Sequence, residues 1–364
     1  MGEVRGGFLL AAGRGTRLAP VTDVLPKPAV PLVGLPLVGY SLMHLHRAGF
    51  AHNAINAHHL VDRLKTSVEV VQAQHLFRMD LGWSIEKQLL GTGGGVRAAQ
   101  EAGLLGNGDV LVMNCDVLCD VDVRRVIHDH QSSGADATLV VVPRPDATQF
   151  GALVVDEHGT LVDLAGLWSD EAALDRASWS GVFSGFSILG AEVFARLRAA
   201  PEVSCLVRDG LVPLLTGGGN VQVFRHTGRW QDLGTPQRFL EGQAMVLEGD
   251  WPLPTRNDDD WGQVHFGQAQ WAIDGQGRTF GRATGVEGEG LEATPPFFIA
   301  PGVQIGKNVR IGPNVVVGPG ARLGDKSRIS NSLLMAGVQL DEASSIDGTV
   351  VGRFAGGNIW SRVT

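Results

Sequence analysis

The chain has 364 residues, 44% of them hydrophobic, and a formal net charge of −8. At roughly 150 residues per domain this is enough for two packed cores. The acidic balance excludes a broad nucleic-acid surface, and no apolar run approaches the ~20 residues that a bilayer requires. No cleavable apolar leader surrounds Glu3 and Arg5, and cysteine is sparse (Cys115, Cys119, Cys205). The expectation is therefore a cytoplasmic protein with reduced thiols and neither a membrane nor a nucleic acid as partner.

From Gly6 to about Gly249, short apolar runs alternate with amphipathic segments, the pattern of βα units around a mostly parallel sheet. Strands are predicted at 7–12, 54–57, 110–114, 138–142 and 183–189, and helices at 37–48, 60–73, 95–105 and 123–131. The fold class is thus doubly wound α/β, in which ligands collect beyond the carboxyl ends of strands. The first strand closes on Leu10-Ala11-Ala12 and enters Gly13-Arg14-Gly15-Thr16-Arg17, with Pro26-Lys27-Pro28 shortly after. Glycines that adopt positive φ let backbone N–H groups converge on phosphate oxygens, and Arg14, Arg17 and Lys27 add positive charge at the same place. A dinucleotide fingerprint would need a third glycine where Leu18 stands, and a Walker loop would need Gly-Lys-Ser/Thr; neither is present.

Asn56-Ala57-His58-His59 closes the second strand, and because neighbouring residues on a strand point to opposite faces His58 and His59 make a poor metal pair. Gly91-Thr92-Gly93-Gly94-Gly95 opens a helix and allows close backbone approach to a flat or charged ligand. The strand at 110–114 ends in Asn114-Cys115-Asp116, and a carboxylate at a strand tip suits Mg²⁺. Asp120 is not assigned to metal, and Asp122 is read as a helix N-cap. A hairpin is predicted to begin at Phe150-Gly151 and to turn at 157–160. The stretch 250–296, with Trp251, Trp261 and Trp271, reads as an irregular connector. Beyond it Ile299, Ile305, Ile311, Val317, Leu323 and Ile329 stand six apart, and after one step of five Leu334, Leu340 and Ile346 continue. Such hexads turn one aliphatic side chain inward per short strand.

The G-x-G-T-R and P-K-P motifs, with Phe183-Ser184-Gly185 and Trp230-Gln231-Asp232-Leu233-Gly234-Thr235-Pro236 after them, resemble the sugar-1-phosphate nucleotidylyltransferases, above all the mannose-1-phosphate guanylyltransferase-like members. The hexads resemble a short left-handed parallel β-helix. The resemblance implies a Rossmann-like catalytic domain at 1–249, the connector at 250–296 and the β-helix at 297–364. It implies condensation of an NTP, with GTP favoured, and a sugar 1-phosphate, with mannose 1-phosphate favoured, into an NDP-sugar and pyrophosphate. Mg²⁺ would be the cofactor, and the chain a homo-oligomer through the β-helix.

By the same resemblance Arg17 meets the departing pyrophosphate, Lys27 the phosphates near the reacting centre, and Asp116 with Asp232 the Mg²⁺. Leu10, Ala12, Gly13, Gly15, Thr16, Arg17, Glu86, Gly91, Thr92 and Gly93 would surround the nucleotide, Asn114, Gly151, Ser184 and Gly185 the sugar, and 56–59, similar to an Asn-x-x-His stretch of some members, would form a wall of the site. Glu86 would read the base, since a carboxylate only accepts and guanine offers two adjacent donors. The rival reading pairs a solvent-facing Glu86 with Lys87 or Arg97.

Two departures stand out: Cys115 replaces a family glycine, and 164–168 lacks the lysine that contacts the sugar phosphate. The first alters the local backbone slightly, and the second leaves open an N-acetylmuramate or other hexose 1-phosphate uridylyltransferase. A catalytically silent sensor of NDP-sugars is disfavoured because Arg17, Lys27, Asp116 and Asp232 are all present. An acyl-transferring β-helix is disfavoured because no histidine follows His265. Truncation after Gly249 is expected to spare the active-site residues and to change assembly.

Overall fold

The computed structural model describes residues 3–73, 79–249, 269–273, 279–283, 286–355 and 357–363. Most of the expected connector, including Trp251 and Trp261, lies outside the described residues. The chain divides into two compact units that are discontinuous in sequence. One takes the described residues of Met1–Gly13, Tyr40–Val61 and Met79–Trp230, the other those of Arg14–Gly39, Asp62–Arg78 and Gln231–Thr364. Among the described residues no helix is long and apolar enough to cross a membrane.

The first unit is built on a sheet of nine strands. Val4–Leu10 lies inside it, parallel to His52–Ala57 on one side and to Asp109–Asn114 on the other, and Gly82–Ile85 extends the parallel edge. Leu10 pairs with Asn114 and Ala57 with Ile85, so the segments that follow these strands leave from one edge of the sheet. The apolar runs are buried on both faces, as Phe8, Leu9, Ile55 and Leu111 show by having no exposed surface. The other half of the sheet is mixed. Ala177–Leu189 runs antiparallel to Asp109–Asn114, Ala137–Pro143 and Leu153–Asp156, and the last of these forms the predicted hairpin with Leu161–Leu164.

In the second unit the C-terminal hexads form stacked parallel coils with three faces. One face carries Phe297–Ile299, Val315–Val317, Leu333–Leu334 and Thr349–Phe354; another Gln304–Ile305, Arg322–Leu323 and Gln339–Leu340; the third Arg310–Ile311, Arg328–Ser330 and Ser345–Asp347. This is the β-helix that the repeat predicts. Phe298 pairs with Val316, Val316 with Leu333 and Leu333 with Val350, so successive coils measure 18, 17 and 17 residues. The step of five from Ile329 to Leu334 shortens one coil, and a second, from Ile346 to Val351, shortens the next. Ile299, Ile311, Val317, Leu323, Ile329, Leu334, Leu340 and Ile346 fill the interior as expected. The stretch before 297 is not all irregular, because Ala269–Ile273 and Thr279–Ala283 pair and continue the first face.

The same unit contains the chain from Arg14 to Gly39 and the helix Pro236–Leu247, both bonded to the β-helix. The fully buried Gln243 donates from Nε2 to the carbonyls of Asn314 and Ser332, 3.2 and 3.1 Å away, on adjacent coils. The Ser361 hydroxyl, on the final strand Gly357–Arg362, donates to Leu18 O at 2.7 Å and accepts from Val21 N at 3.3 Å. Truncation after Gly249 therefore does not leave the expected site untouched: it would strip partners from the loop that carries Arg17.

Candidate active site

Two sets of the expected residues lie in different units. In the first unit the centre is a buried polar network. Asn56, next to last in the buried strand His52–Ala57, accepts through Oδ1 from Ala11 N at 2.6 Å and Ala12 N at 3.1 Å. Its Nδ2 donates to Glu86 Oε1 at 2.6 Å, and Glu86 Oε2 accepts from Leu90 N at 3.0 Å. Glu86 is only 5% exposed. It neither faces solvent nor pairs with Arg97, whose guanidinium binds the carbonyls of Leu197, Ala200, Pro201 and Glu202. The network ties the start of the first glycine loop to the start of the second. His58 Nδ1 lies 3.0 Å from Glu86 O, which places it beside the network.

The glycines of the second loop serve contacts within the protein. A Cβ on Gly91 would lie 2.5 Å from Ser204 O, one on Gly94 2.4 Å from Glu202 O, and one on Gly95 2.7 Å from Asn56 Nδ2. The N–H groups of Gly93 and Gly94 both donate to Ser204 O, and Thr92 Oγ1 accepts from Leu206 N. The helix accordingly starts at Gly91, four residues before the expected position. Close packing here overrides the poor helix propensity of glycine.

Asn114 packs against Gly185, whose absent Cβ would come within 2.8 Å of Asn114 Nδ2, and Gly151 has a positive φ of 79°. Ser184 is fully buried, and its carbonyl accepts from Trp230 Nε1 at 2.9 Å. Asp116 is half-buried after its strand. The flanking thiols of Cys115 and Cys119 are both pushed up to about 12 by burial, which leaves them protonated and inert. Asp120 binds His226 Nε2 at 2.8 Å and Arg229 N, and Asp122 caps Val123–Ser133 as predicted.

In the second unit Gly15 takes the left-handed conformation at φ 64°, and a Cβ there would meet Lys27 Cβ at 2.9 Å. Gly13 has only open space around it and no positive φ, so of the two glycines in the motif only Gly15 is required by conformation. Thr22 Oγ1 donates to Gly15 O at 2.9 Å. Arg17 and Thr16 are exposed on a short 3-10 turn, whereas Lys27 is 4% exposed. A Cβ on Gly234 would lie 2.5 Å from Arg17 Nη2 and 3.0 Å from Asp232 Oδ2, so the glycine of the W-x-D-x-G-T-P motif makes room for a cation beside an anion. Asp232 does not cap the next helix. Thr235 does, accepting from Arg238 N, while Asp232 Oδ2 accepts from Arg238 Nη1 at 2.6 Å.

The family described as nucleotidyl transferase matches residues 6–249. The chain belongs to that family. A second match, to the GMPPB C-terminal domain, covers residues 293–364. Among curated relatives, a protein of Mycobacterium tuberculosis named mannose-1-phosphate guanylyltransferase is 31% identical over 268 residues, 72% of this chain and 70% of that protein. A protein of Debaryomyces hansenii named mannose-1-phosphate guanyltransferase is 26% identical over 66% of this chain and 64% of its own length, just under two thirds. Among solved structures, HddC from Yersinia pseudotuberculosis superposes with a TM-score of 0.52 at 20% identity, covering 66% of this chain and 99% of that one, and shares the fold.

For this nucleotidyl transferase the donor set bears on any divalent ion. No group of three or more His, Cys, Asp or Glu side chains capable of holding a metal occurs among the described residues. Asp116 in one unit and Asp232 in the other are each a hard oxygen donor of the kind Mg²⁺ takes, an ion that binds one or two carboxylates and completes its octahedron with phosphate oxygens and water. One oxygen of Asp232, Oδ2, is already engaged by Arg238 Nη1.

Proposed function

We propose that this nucleotidyl transferase condenses an NTP with a sugar 1-phosphate to give an NDP-sugar and pyrophosphate, with GTP and mannose 1-phosphate as substrates. The observation that carries the reading is the 31% identity over 268 residues to a protein named mannose-1-phosphate guanylyltransferase. An oxygen of the sugar phosphate forms a bond to the α-phosphorus as the bond from that phosphorus to the pyrophosphate oxygen breaks. The nucleophile is already an anion, so the residues supply position and charge rather than a base. Arg17, exposed on its turn, takes up charge on the leaving pyrophosphate. Lys27, fixed between Pro26 and Pro28, neutralises the phosphates near the reacting centre. Asp116 and Asp232 would hold Mg²⁺, which when bound supplies Lewis-acid stabilisation of phosphate charge.

Glu86 acts on the nucleotide through its network, fixing Asn56 and the turn at Leu90. Asn114, Gly151 and Gly185 border the sugar. The missing lysine at 164–168 favours testing uridylyl transfer to N-acetylmuramate 1-phosphate or another hexose 1-phosphate as the second reading. A cytoplasmic location and assembly of copies through the β-helix belong to the same proposal, the assembly being testable by light scattering. The decisive experiment is pyrophosphate release across a grid of GTP, UTP, dTTP and ATP against several sugar 1-phosphates. Turnover highest with GTP and mannose 1-phosphate is expected. Turnover confined to UTP would establish the second reading, and none with any pair would refute both.

A further inference from the structure

The segment that directly follows Arg17, from Leu18 to Val21, is closed at both ends by one distant side chain. Ser361 is 2% exposed on the last strand. Its hydroxyl uses both its capacities on this loop, donating to Leu18 O at 2.7 Å and accepting from Val21 N at 3.3 Å. Leu18 and Val21 are themselves without exposed surface, so neither group can exchange this partner for water without opening the packing. Leu18 directly follows Arg17, and Leu18 N donates to Gly15 O, to which Thr22 Oγ1 also donates. The hydroxyl thus spans the residues just before and just after Ala19-Pro20, and together with Gly15 O it sets the height and direction of the turn on which Arg17 stands.

We propose that Ser361 is a positioning residue for Arg17, so that the final strand of the β-helix takes part in nucleotidyl transfer. The proposal rests on the role given to Arg17 above. A positioned cation acts on charge that develops as pyrophosphate leaves, so its misplacement lowers kcat more than it raises KM for the sugar phosphate.

The test uses the full chain with Ser361→Ala, Ser361→Gly and Ser361→Thr. Ala and Gly are expected to lower kcat about 10- to 100-fold with KM for the sugar 1-phosphate changed less than twofold, and Thr, which keeps a hydroxyl, to restore most of the loss. In an Arg17→Ala background Ser361→Ala is expected to cost less than twofold, because both changes remove the same contribution. Amide hydrogen exchange at Val21 in the unliganded protein is expected to speed up in Ala and Gly and to stay slow in Thr, whatever reaction the enzyme catalyses. Unchanged exchange at Val21 in the Ala and Gly variants would overturn the clamp itself. Faster exchange with unchanged kcat, or an equal loss in the Arg17→Ala background, would overturn its catalytic meaning. A wild type silent on every substrate pair would refute the proposed function and leave the exchange result to judge the clamp.

Discussion

Glu86 accepts from Asn56 Nδ2 and from Leu90 N at once, so a glutamine there would set its amide N–H₂ against one of two donors. Glu86→Gln is expected to lose about 1–3 kcal/mol of stability, the cost of a buried donor left without an acceptor. Because the damage falls on the network rather than on base edges, kcat/KM for GTP, UTP, dTTP and ATP should fall by a similar factor with the order kept. A reordering toward UTP or dTTP would show instead that the carboxylate reads the base. Asp116→Ala and Asp232→Ala should each lower turnover ~10²–10³-fold. The second also releases Arg238 from its 2.6 Å partner, so a melting temperature lower than that of Asp116→Ala is expected beside the kinetic loss. Near-native activity in Mg²⁺ for either variant would remove that aspartate from the metal.

Much of the first loop was legible at this scale, because Gly15, Arg17 and Lys27 are neighbours in sequence and their chemistry is local. Asn56, Gln243 and Ser361 were not. Each makes its point by hydrogen bonds to groups dozens to hundreds of positions away, and nothing in the residues beside it announces the partner. Asn56 stood in view only as one of three polar residues in the stretch 52–57, and its burial, which requires a hydrogen-bonding partner, comes from the fold.

Among the elements, Leu37–Ala48 is bounded as the apolar period and the following Gly49 predict. Ala177–Leu189 is longer than expected because its first half is exposed and rich in serine, which hides a strand that pairs with an antiparallel hairpin. The Leu37–Ala48 helix also carries a pH-sensitive contact. His44 lies 2.9 Å from Cys119 O and meets Phe186 edge-on. Burial, reinforced by Arg47 and His226 against the Cys119 hydrogen bond and Asp120, lowers its pKa from 6.5 to about 4. Between those values the unfolded chain binds a proton that the folded chain excludes. Stability from this group is thus complete above pH 6.5, declines as the pH falls toward 4, and is flat below. The full swing is roughly 3 kcal/mol. Unfolding free energies of wild type and His44→Leu from denaturant titrations, followed over this range, should diverge by that amount. Parallel curves would assign the acid sensitivity elsewhere.

At the scale of the molecule, the family match divides the chain in order of sequence, whereas the compact units do not. The stretch from Arg14 to Gly39 and the helix Pro236–Leu247 belong with the β-helix. A chain ending at Gly249 would lose Ser361 and the carbonyls of Asn314 and Ser332, leaving Gln243 Nε2, Leu18 O and Val21 N without these partners. The truncated protein is expected to lose at least tenfold in kcat as well as thermal stability, the rate effect following from a displaced Arg17. Retention of kcat within twofold would show that the β-helix serves assembly alone.

The coil lengths of 18, 17 and 17 residues have one more consequence. Each coil advances the β-helix by about 4.8 Å, the spacing of neighbouring strands. The number of coils therefore works as a ruler that decides at what height Ser361 is delivered. Repeat proteins commonly tolerate gain or loss of a whole unit, since each unit contacts only its neighbours. Here such an edit would leave a well-formed solenoid whose last strand overshoots or falls short of Leu18 and Val21 by one strand spacing. Length itself, in an element built from interchangeable parts, becomes a quantity that selection can read through the enzyme's rate.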